Sequence, residues 1–329
     1  MTKKINWGII GLGKIANKFA ADLQLSNNAV LYAVASRNEE KAKAFSEKYK
    51  STKFYSSYKE LAANPEIDVI YIATPNTFHF KNTMMCLKQG KGVLCEKPMG
   101  INYREVDTMI REARLRNLFL MEGIWTRFIP ATKKLLEILD NKTIGDILFI
   151  HADFGFKADS NREGRLYNKK LGGGSLLDVG IYPIYLSLIS LGIPIDIKAM
   201  ARMTDTNVDG YCSMLFDYEN GAKAILESTI EANTPTEATI YGSKGSLKLH
   251  KQFHHSEKIT ISQNDEETVL DIKHKGNGYT HEIEEVNSCL LNNDIESSKL
   301  PLKISIDMIT LIDRIKEKIG LKYETKNSD

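Results

Sequence analysis

The sequence lacks a broad excess of charge of either sign. It has 329 residues, and its 44 Lys and Arg are offset by 42 Asp and Glu, for a formal net charge of +2. Charges of both signs are interspersed along the chain, whereas proteins that bind nucleic acid or an anionic membrane surface usually carry a basic patch. We therefore expect neither a nucleic acid nor a membrane as partner.

Cysteine is scarce as well. The four cysteines, Cys86, Cys95, Cys212 and Cys289, are widely spaced and form neither a CxxC pair nor a disulfide framework. Reduced, buried thiols of this kind are typical of a cytoplasmic protein, which is the location we expect. We expect no metal site, because the adjacent His254 and His255 lack a cysteine or carboxylate at ligand spacing.

Long apolar runs are also missing. We find no apolar stretch of eighteen residues, and the N-terminal run INWGIIGLG is short and broken by glycines, so we expect neither a membrane span nor a signal peptide. The composition, 42% hydrophobic and 26% charged, is that of a globular protein. A chain of this length is long enough for two domains.

Short apolar runs alternate with helical segments through about Glu122. The runs are INWGII, VLYAVAS, VIYIAT, GVLCEK and LFLMEG. This alternation is typical of βαβ units, whose parallel strands are buried on both faces and therefore lack polar alternation. We predict an N-terminal dinucleotide-binding domain of the Rossmann type over residues 1–123, with a doubly wound parallel sheet.

The remaining residues, 124–329, follow another pattern. After one helical stretch at 176–191, strand-like segments are joined by turns such as ENGA and SKGS, with little room for crossover helices. Helical periodicity returns at 281–291 and at 304–319, where Gly320 has the position of a helix C-cap. We predict an α+β domain with a large open, mainly antiparallel sheet, and hence an α/β chain overall.

The segment GLGKIA, Gly11 to Ala16, follows the first strand and leads into a helix, which is the context of a dinucleotide fingerprint. Gly11 allows a tight turn and Gly13 lets backbone N–H groups approach a pyrophosphate, with Lys14 and Ile15 in the same turn. Ala16 replaces the third glycine of the motif, where helix meets strand. An ordinary glycine turn is the alternative, but the position favours cofactor binding.

The end of the second predicted strand distinguishes NAD from NADP. An acidic residue there binds the adenosine ribose 2′-hydroxyl of NAD, but this strand runs into Ser36 and Arg37. Ser36 donates a hydrogen bond, and Arg37 pairs with or stacks over a phosphorylated ribose. We predict NADP as cofactor, with NAD possible; the alternative is that Arg37 is a solvated surface charge.

The segment IATPNTFH lies at the carboxyl end of the strand VIYIAT, where open α/β sheets bind ligands. Thr74, Pro75 and Asn76 are candidate cofactor-binding residues in the loop below the nicotinamide ribose. His79 follows one helical turn later and is a further candidate. For His79 a capping or packing role is favoured, because one histidine without a partner is no catalytic assembly.

Taken in order, GLGKIA, ATPNTFH, CEKPMG and GGGSLLDVGIYPI resemble the Gfo/Idh/MocA family of NAD(P)-dependent oxidoreductases. The resemblance covers nearly the whole chain, and the Glu-Lys-Pro motif is more specific than the glycines. Within the family, LFLMEGIWTRFIPA and LLDVGIYPI are most similar to the dimeric dihydrodiol dehydrogenase subgroup. The resemblance implies that residues 124–329 bind substrate and form a homodimer through the open face of the sheet.

The resemblance places a lysine beside the nicotinamide and the substrate, and the matching residue is Lys97. A lysine at the carboxyl end of a strand polarises a hydroxyl or carbonyl, and Pro98 fixes the turn that aims it. Glu96 is expected to hold cofactor ribose hydroxyls. The alternative for Lys97 is a surface lysine that precedes a helix.

The second catalytic element implied by the resemblance is Tyr182, at a position where many family members have histidine. Tyrosine titrates near pH 10 when unperturbed, so it suits proton donation to a carbonyl. Asp178 lies four residues earlier, on the same face of a helix, and either orients substrate or caps that helix. For Tyr182 the alternative is a core aromatic residue.

Trp125 and Arg127 are candidate substrate residues at the entrance between the domains, with interdomain packing as the alternative. We predict hydride transfer between NADP(H) and a secondary alcohol or carbonyl of a small polyol, sugar, dihydrodiol or dicarbonyl. A non-enzymatic protein that senses NADP or a sugar is the alternative. Retention of Lys97 and Tyr182 favours the enzyme.

Overall fold

The computed structural model describes residues 3–159 and 161–324. Strands and helices alternate strictly through Gly123 in the described part of the chain. In order, they are β1 (Ile5–Ile10), α1 (Lys14–Leu23), β2 (Ala29–Ala35), α2 (Glu39–Tyr49), β3 (Lys53–Tyr55), α3 (Tyr58–Ala63), β4 (Val69–Ile72), α4 (His79–Lys88), β5 (Gly92–Glu96), α5 (Tyr103–Leu115) and β6 (Leu120–Gly123).

Strands dominate the middle of the chain, and helices return near its end. The elements are α6 (Pro130–Asp140), β7 (Ile147–Gly155), α7 (Ile181–Leu191), β8 (Asp196–Met203), β9 (Asp209–Asp217), β10 (Lys223–Thr229), β11 (Ala238–Gly242), β12 (Gly245–Leu249), β13 (Lys258–Gln263), β14 (Glu266–Asp271), α8 (Thr280–Asn292) and α9 (Leu302–Lys318). A π-helical turn, Leu176–Gly180, leads directly into α7.

The first sheet has the strand order β3-β2-β1-β4-β5-β6, and its neighbouring strands are parallel. Every residue of β4 and β5 is buried, as expected of parallel strands covered by helices on both faces. The order reverses between β1 and β4, which is the switch point where doubly wound sheets bind their ligands. The predicted Rossmann architecture is confirmed.

Local side chains start several of these helices. Asn38, Ser57 and Asn102 each accept a hydrogen bond from the backbone N–H three residues later, at the first turns of α2, α3 and α5. Such caps satisfy N–H groups that have no partner within the helix. They fix where each helix begins, and so they also fix the length of the loop that follows each strand.

The second sheet has eight strands in the order β14-β13-β12-β11-β7-β10-β9-β8. Its described pairs are antiparallel except for β10 beside β7, which is parallel. One face buries apolar residues such as Ile150, Leu226 and Phe216, and α7 packs against β7 and β10. The large, mainly antiparallel sheet is as predicted.

The chain divides into two compact units. The first comprises the described residues through Phe128 together with Lys275–Ile306, and the second comprises Ile129–His274 together with the described residues from Asp307 onward. The boundary predicted after Gly123 lies close to Phe128, the last residue of the first segment of unit one. The prediction did not include residues 275–306 in the first unit.

One helical run requires a correction of the sequence analysis. Lys169–Leu191 is long and apolar enough to cross a membrane by length and composition, although no such stretch was expected. However, 83% of its apolar window is buried inside the protein. Its apolar character is explained by α7, which lies against the second sheet as a core helix.

Candidate active site

The carboxyl end of β1 turns sharply at Gly11. Its φ angle is +87°, in the left-handed region that favours glycine. A Cβ atom at Gly11 would lie 2.6 Å from the carbonyl carbon and oxygen of Ala73 and 2.7 Å from the nitrogen of Thr74. The glycine turn therefore packs directly on the loop that follows β4, as the fingerprint requires.

The first turn of α1, which follows Gly13, has no side-chain cap for its backbone N–H groups, although the Gly13 N–H itself donates a hydrogen bond of 2.9 Å to the Gly11 carbonyl oxygen. Gly13 is exposed, a Cβ atom there would meet nothing within 4 Å, and the first turn of α1 carries no acidic residue. An uncapped helix N-terminus attracts an anion such as a pyrophosphate. Lys14 is exposed and Ile15 half-buried beside it, whereas Ala16 is fully buried, so these residues fit a bound dinucleotide.

Ser36 and Arg37 follow β2 as predicted. Ser36 is buried, and its Oγ accepts a hydrogen bond of 3.2 Å from the Asn38 N–H. Arg37 is exposed and lies 6.0 Å from the centre of the Phe78 ring. It also hydrogen-bonds Tyr58, whose pKa is raised by burial and lowered in smaller part by Arg37. Arg37 is thus a positioned cation at the end of β2.

His79 joins two of the predicted cofactor loops. It is 1% exposed, and its Nδ1 lies 2.7 Å from the Pro98 carbonyl oxygen while its Nε2 lies 2.7 Å from the Thr74 carbonyl oxygen. Carbonyl oxygens only accept, so both contacts are hydrogen bonds only when both nitrogens carry a proton. Pro75 precedes the 3₁₀ turn Asn76–Phe78, in which Asn76 is buried.

Glu96 is the last residue of β5 and Lys97 begins the turn that follows, and the Lys97–Pro98 peptide bond is cis. Glu96 is buried, and its Oε1 accepts a hydrogen bond from the Tyr71 phenol. Its Oε2 lies 3.2 Å from the Lys97 backbone nitrogen. Because β1, β4 and β5 are neighbours, the loops after these strands meet at one edge of the first sheet, with Lys97 among them.

Below this turn lies a group of buried titratable residues that sequence reasoning missed. Glu122 on β6 accepts a hydrogen bond of 2.8 Å from the Met99 N–H, and burial raises its pKa. Burial, followed by the Glu96 carboxylate, raises the pKa of Tyr71 and of Glu282 well above their ordinary values. No local sequence motif predicts such a group, because its members come from β4, β5, β6 and α8.

Trp125 and Arg127 make contacts within their own unit. Trp125 is 6% exposed and stacks on Tyr279, with ring centres 4.5 Å apart. Arg127 Nε donates a hydrogen bond of 2.8 Å to the Lys299 carbonyl oxygen. These contacts hold the 3₁₀ turn Trp125–Phe128 against the segment 275–306. A role of either residue in substrate binding remains a prediction.

Asp178 lies inside the π-helical turn and is not its cap. The helix begins at Leu176, whose N–H donates a hydrogen bond of 2.6 Å to Asp209 Oδ2. Asp178 instead pairs with Arg165, whose Nη1 lies 2.6 Å from Oδ1. The capping alternative is therefore wrong, because Asp209 from β9 already occupies that position.

Tyr182 is 7% exposed and lies in an aromatic cluster of the second unit. Its ring centre is 5.5 Å from that of Phe154 and 4.7 Å from that of His254, and the Phe154 and His254 rings stack at 4.5 Å. From its sequence context, His254 was a candidate metal ligand only. Its position beside Tyr182 follows from the 3₁₀ turn Phe253–His255, which no sequence pattern indicated.

Comparison with known proteins agrees with this arrangement. Residues 5–124 match the model of an oxidoreductase family with an NAD-binding Rossmann fold, and residues 132–248 match the GFO/IDH/MocA C-terminal domain. Trans-1,2-dihydrobenzene-1,2-diol dehydrogenase from Xenopus tropicalis is 36% identical, covering 96% of this chain and 98% of the relative. The Homo sapiens protein of the same name is 34% identical, with 97% and 98% covered.

Two solved structures have the same fold. A 3-ketoreductase from Actinomadura kijaniata, crystallised with NADP and TDP-benzene, has a TM-score of 0.88 at 24% identity, with 96% of this chain and 98% of that chain covered. Aldose-aldose oxidoreductase from Caulobacter crescentus, complexed with glycerol, has a TM-score of 0.88 at 22% identity, with 97% and 98% covered.

The dinucleotide loops of the first unit, the Lys97 turn and the two matching family models agree, and they favour the enzyme over the non-enzymatic alternative. The dehydrogenase relatives match over nearly their whole length. The chain belongs to the Gfo/Idh/MocA family of oxidoreductases and is an NAD(P)-dependent dehydrogenase or reductase acting on CH–OH groups.

Proposed function

We propose that the protein transfers a hydride between NADP(H) and a secondary alcohol or carbonyl carbon of a small polyol, sugar, dihydrodiol or dicarbonyl. The observation that carries the proposal is the position of Lys97. Its turn is tied through His79 to the loop after β4, on which Gly11 packs. A cation is thus held next to the loops that fit a dinucleotide.

NADP is the preferred cofactor in this proposal. The end of β2 offers Arg37 and no acidic residue, so it favours a 2′-phosphate and lacks the usual acceptor for a free 2′-hydroxyl. The 3-ketoreductase neighbour was crystallised with NADP. Its identity is too low to transfer that choice by itself, and Arg37 is the feature of this chain that supports it.

Three side chains carry the chemistry in this proposal. Glu96 binds ribose hydroxyls of the cofactor, Lys97 polarises the reacting oxygen, and Tyr182 donates or accepts the proton. The 3-ketoreductase neighbour was also crystallised with a single lysine replaced by alanine or glutamate, and with a single tyrosine replaced by phenylalanine. Those variants single out the same two residue types.

The relatives guide the choice of substrates. Those at 34–36% identity are named for a trans-dihydrodiol of benzene, and the structural neighbours are named as a 3-ketoreductase and an aldose-aldose oxidoreductase. These compounds share a secondary alcohol or carbonyl on a ring or polyol. The cluster of Phe154, Tyr182 and His254 offers aromatic faces suited to such rings.

The test is a panel of dihydrodiols, aldoses, inositols and dicarbonyls, assayed with NADPH or NADP and with NADH or NAD. We expect turnover of at least one class with a preference for the phosphorylated cofactor. Lys97→Met serves as the inactive control, because it keeps the size of the side chain but removes its charge. Binding of NADPH without turnover of any compound would overturn the proposed reaction.

We further propose a homodimer formed through the open face of the second sheet, in the cytoplasm. That face exposes Met200, Leu215, Ile225, Phe149 and Tyr241, and the register places Leu215 opposite Ile225 and Phe149 opposite Tyr241. Exposed apolar residues gathered on one face in this way are typical of an interface. The cytoplasm is proposed because all four cysteines are free and buried.

A further inference from the structure

One buried acid in the first unit has no place in the site described so far. Glu282 lies in the first turn of α8, is 0% exposed, and has no hydrogen-bond partner for either carboxyl oxygen among the residues that the structure describes. An ionised carboxyl is strongly disfavoured there, because it loses its water without gaining a partner.

Helix capping does not explain Glu282, because another residue performs that task. The Asp22 carboxylate, from α1, accepts hydrogen bonds from the backbone N–H groups of Asn277, Tyr279 and Thr280 at 2.8, 2.9 and 3.2 Å. An apolar residue of similar volume would therefore fill the site of Glu282 at lower cost. Burial of the Glu282 carboxyl destabilises the fold and is not needed for capping, which indicates another role for this residue among its neighbours.

The titratable groups around Glu282 point to that role. Glu96 on β5 and Tyr71 on β4 interact electrostatically with Glu282, and Tyr279 in the loop before α8 interacts with Tyr71. Glu96 accepts a hydrogen bond from the Tyr71 phenol and another from the Lys97 N–H, so its two oxygens are both acceptors, as in a carboxylate. Two neighbouring buried carboxyls do not both ionise readily.

We propose that Glu282 is a positioning residue for Glu96: it keeps its proton, so the pair carries one negative charge and that charge stays on Glu96 beside the Lys97 turn. Ionisation of Glu282 places a second negative charge in the same buried space, and repulsion between the two carboxylates displaces Glu96 from its position beside the Lys97 turn. The inference rests on the proposed function, because Glu96 is there assigned to the cofactor ribose.

The first experiment asks where the proton is. Infrared difference spectra of wild type against Glu282→Gln at pH 7 are expected to contain the carbonyl stretch of a protonated carboxylic acid, lost in the variant. The same spectra for Glu284→Gln, an exposed residue of the same helix, should contain only a carboxylate band. A carboxylate band for Glu282 itself would overturn the proposal.

The second experiment measures the dissociation constant of NADPH by fluorescence as pH is raised from 7. Glu282→Gln is expected to bind NADPH at pH 7 within about threefold of wild type, because it replaces a neutral group by another of the same shape. As Glu282 ionises, wild type should lose about tenfold more affinity than the variant. Parallel profiles for the two proteins would contradict a positioning role, whereas a merely structural role predicts them.

Should Glu282→Gln fail to fold, Glu96→Gln provides the test. Removal of the Glu96 charge is expected to lower the pH at which Glu282 ionises, as monitored by its infrared band. An unchanged pH dependence of that band would overturn the coupling. The infrared readout does not depend on activity. Absence of NADPH binding in wild type would therefore refute the proposed function and leave the protonation of Glu282 to be judged separately.

Discussion

At the scale of single residues, the choice between NADP and NAD rests on Arg37. We expect Arg37→Ala to weaken NADP binding by one to two orders of magnitude and to leave NAD binding nearly unchanged, because one charge-assisted pair is lost. Titration with both cofactors measures the ratio of NADP affinity to NAD affinity. An unchanged ratio would mean that Arg37, although it stands beside Phe78 and Tyr58, does not contact the phosphate.

Lys97 and Tyr182 are assigned to the same reacting oxygen, which gives a test of non-additivity. We expect Lys97→Met to lower kcat at least about a hundredfold while NADPH still binds, since a contact made mainly in the transition state is lost. Tyr182→Phe should lower it by about 10²–10⁴ while keeping the packing on Phe154. Steady-state kinetics of the double variant should resemble the poorer single variant, and a fully additive loss would assign the residues to separate steps.

His79 is expected to contribute to stability through its two carbonyl contacts. His79→Phe keeps the ring but leaves at least one of these buried carbonyl oxygens without its donor, which costs about 1–3 kcal/mol. Urea unfolding measures the loss. His250→Phe, whose Nε2 contacts the Thr260 hydroxyl at 2.8 Å, is the matched control and should lose less. Equal losses would show that ring packing, not hydrogen bonding to the carbonyl oxygens, holds the two loops.

At the scale of elements, the start of the helix at Leu176 depends on an acid from another strand. Asp209 accepts hydrogen bonds from the Ser175 hydroxyl at 2.7 Å and the Leu176 N–H at 2.6 Å. Nevertheless, burial raises its pKa from 3.8 to about 6. Gly174 has a φ of +115°, and a Cβ atom there would overlap Asp209 Oδ1, so the turn closes tightly over the acid.

This raised pKa predicts how stability depends on pH. Because the folded state holds the proton of Asp209 more tightly, the stabilisation is complete below pH 3.8 and is lost as pH rises to about 6. The loss amounts to ~3 kcal/mol. Asp209→Asn keeps an acceptor for the helix start and removes the titration.

Urea unfolding at several pH values should therefore give a flatter stability profile for Asp209→Asn than for wild type. Asp196→Asn, at an exposed residue, should give the same dependence of stability on pH as wild type. A profile of Asp209→Asn that runs parallel to wild type between pH 4 and 7 would contradict the assignment.

Which parts of the fold and of the candidate site are predictable from the sequence alone depends on the separation of the interacting residues along the chain. The Gly11–Ala16 turn, the strand ends and the helix caps were predictable because each involves residues within a few positions. Asp209 as the cap of Leu176 and Glu282 as a neighbour of Glu96 were not, since tertiary contacts bring them together. The capping alternative for Asp178 failed for the same reason, because the acid that accepts the Leu176 N–H lies on another strand.

At the scale of the whole molecule, the exposed apolar face of the second sheet predicts association. Ile225→Glu places a charge in the middle of that face, beside Leu215, and is expected to convert a dimer at micromolar concentration into a monomer. Light scattering gives the mass. Ile193→Glu, at an exposed apolar residue outside the strands, should leave the mass unchanged. A monomeric wild type would exclude the interface.

The discontinuous first unit has a consequence for how the protein is made. Trp7 donates a hydrogen bond of 2.9 Å to Asn287, 280 residues later, and Asp22 binds the Asn277 N–H, 255 residues later. On the ribosome, therefore, the nucleotide-binding half emerges first but is completed only after residues 129–274 of the second unit have been synthesised. Until α8 arrives, the face of the nascent sheet around Trp7 and Tyr71 lacks its cover, so this stage of biosynthesis is the one at which a chaperone would be needed most.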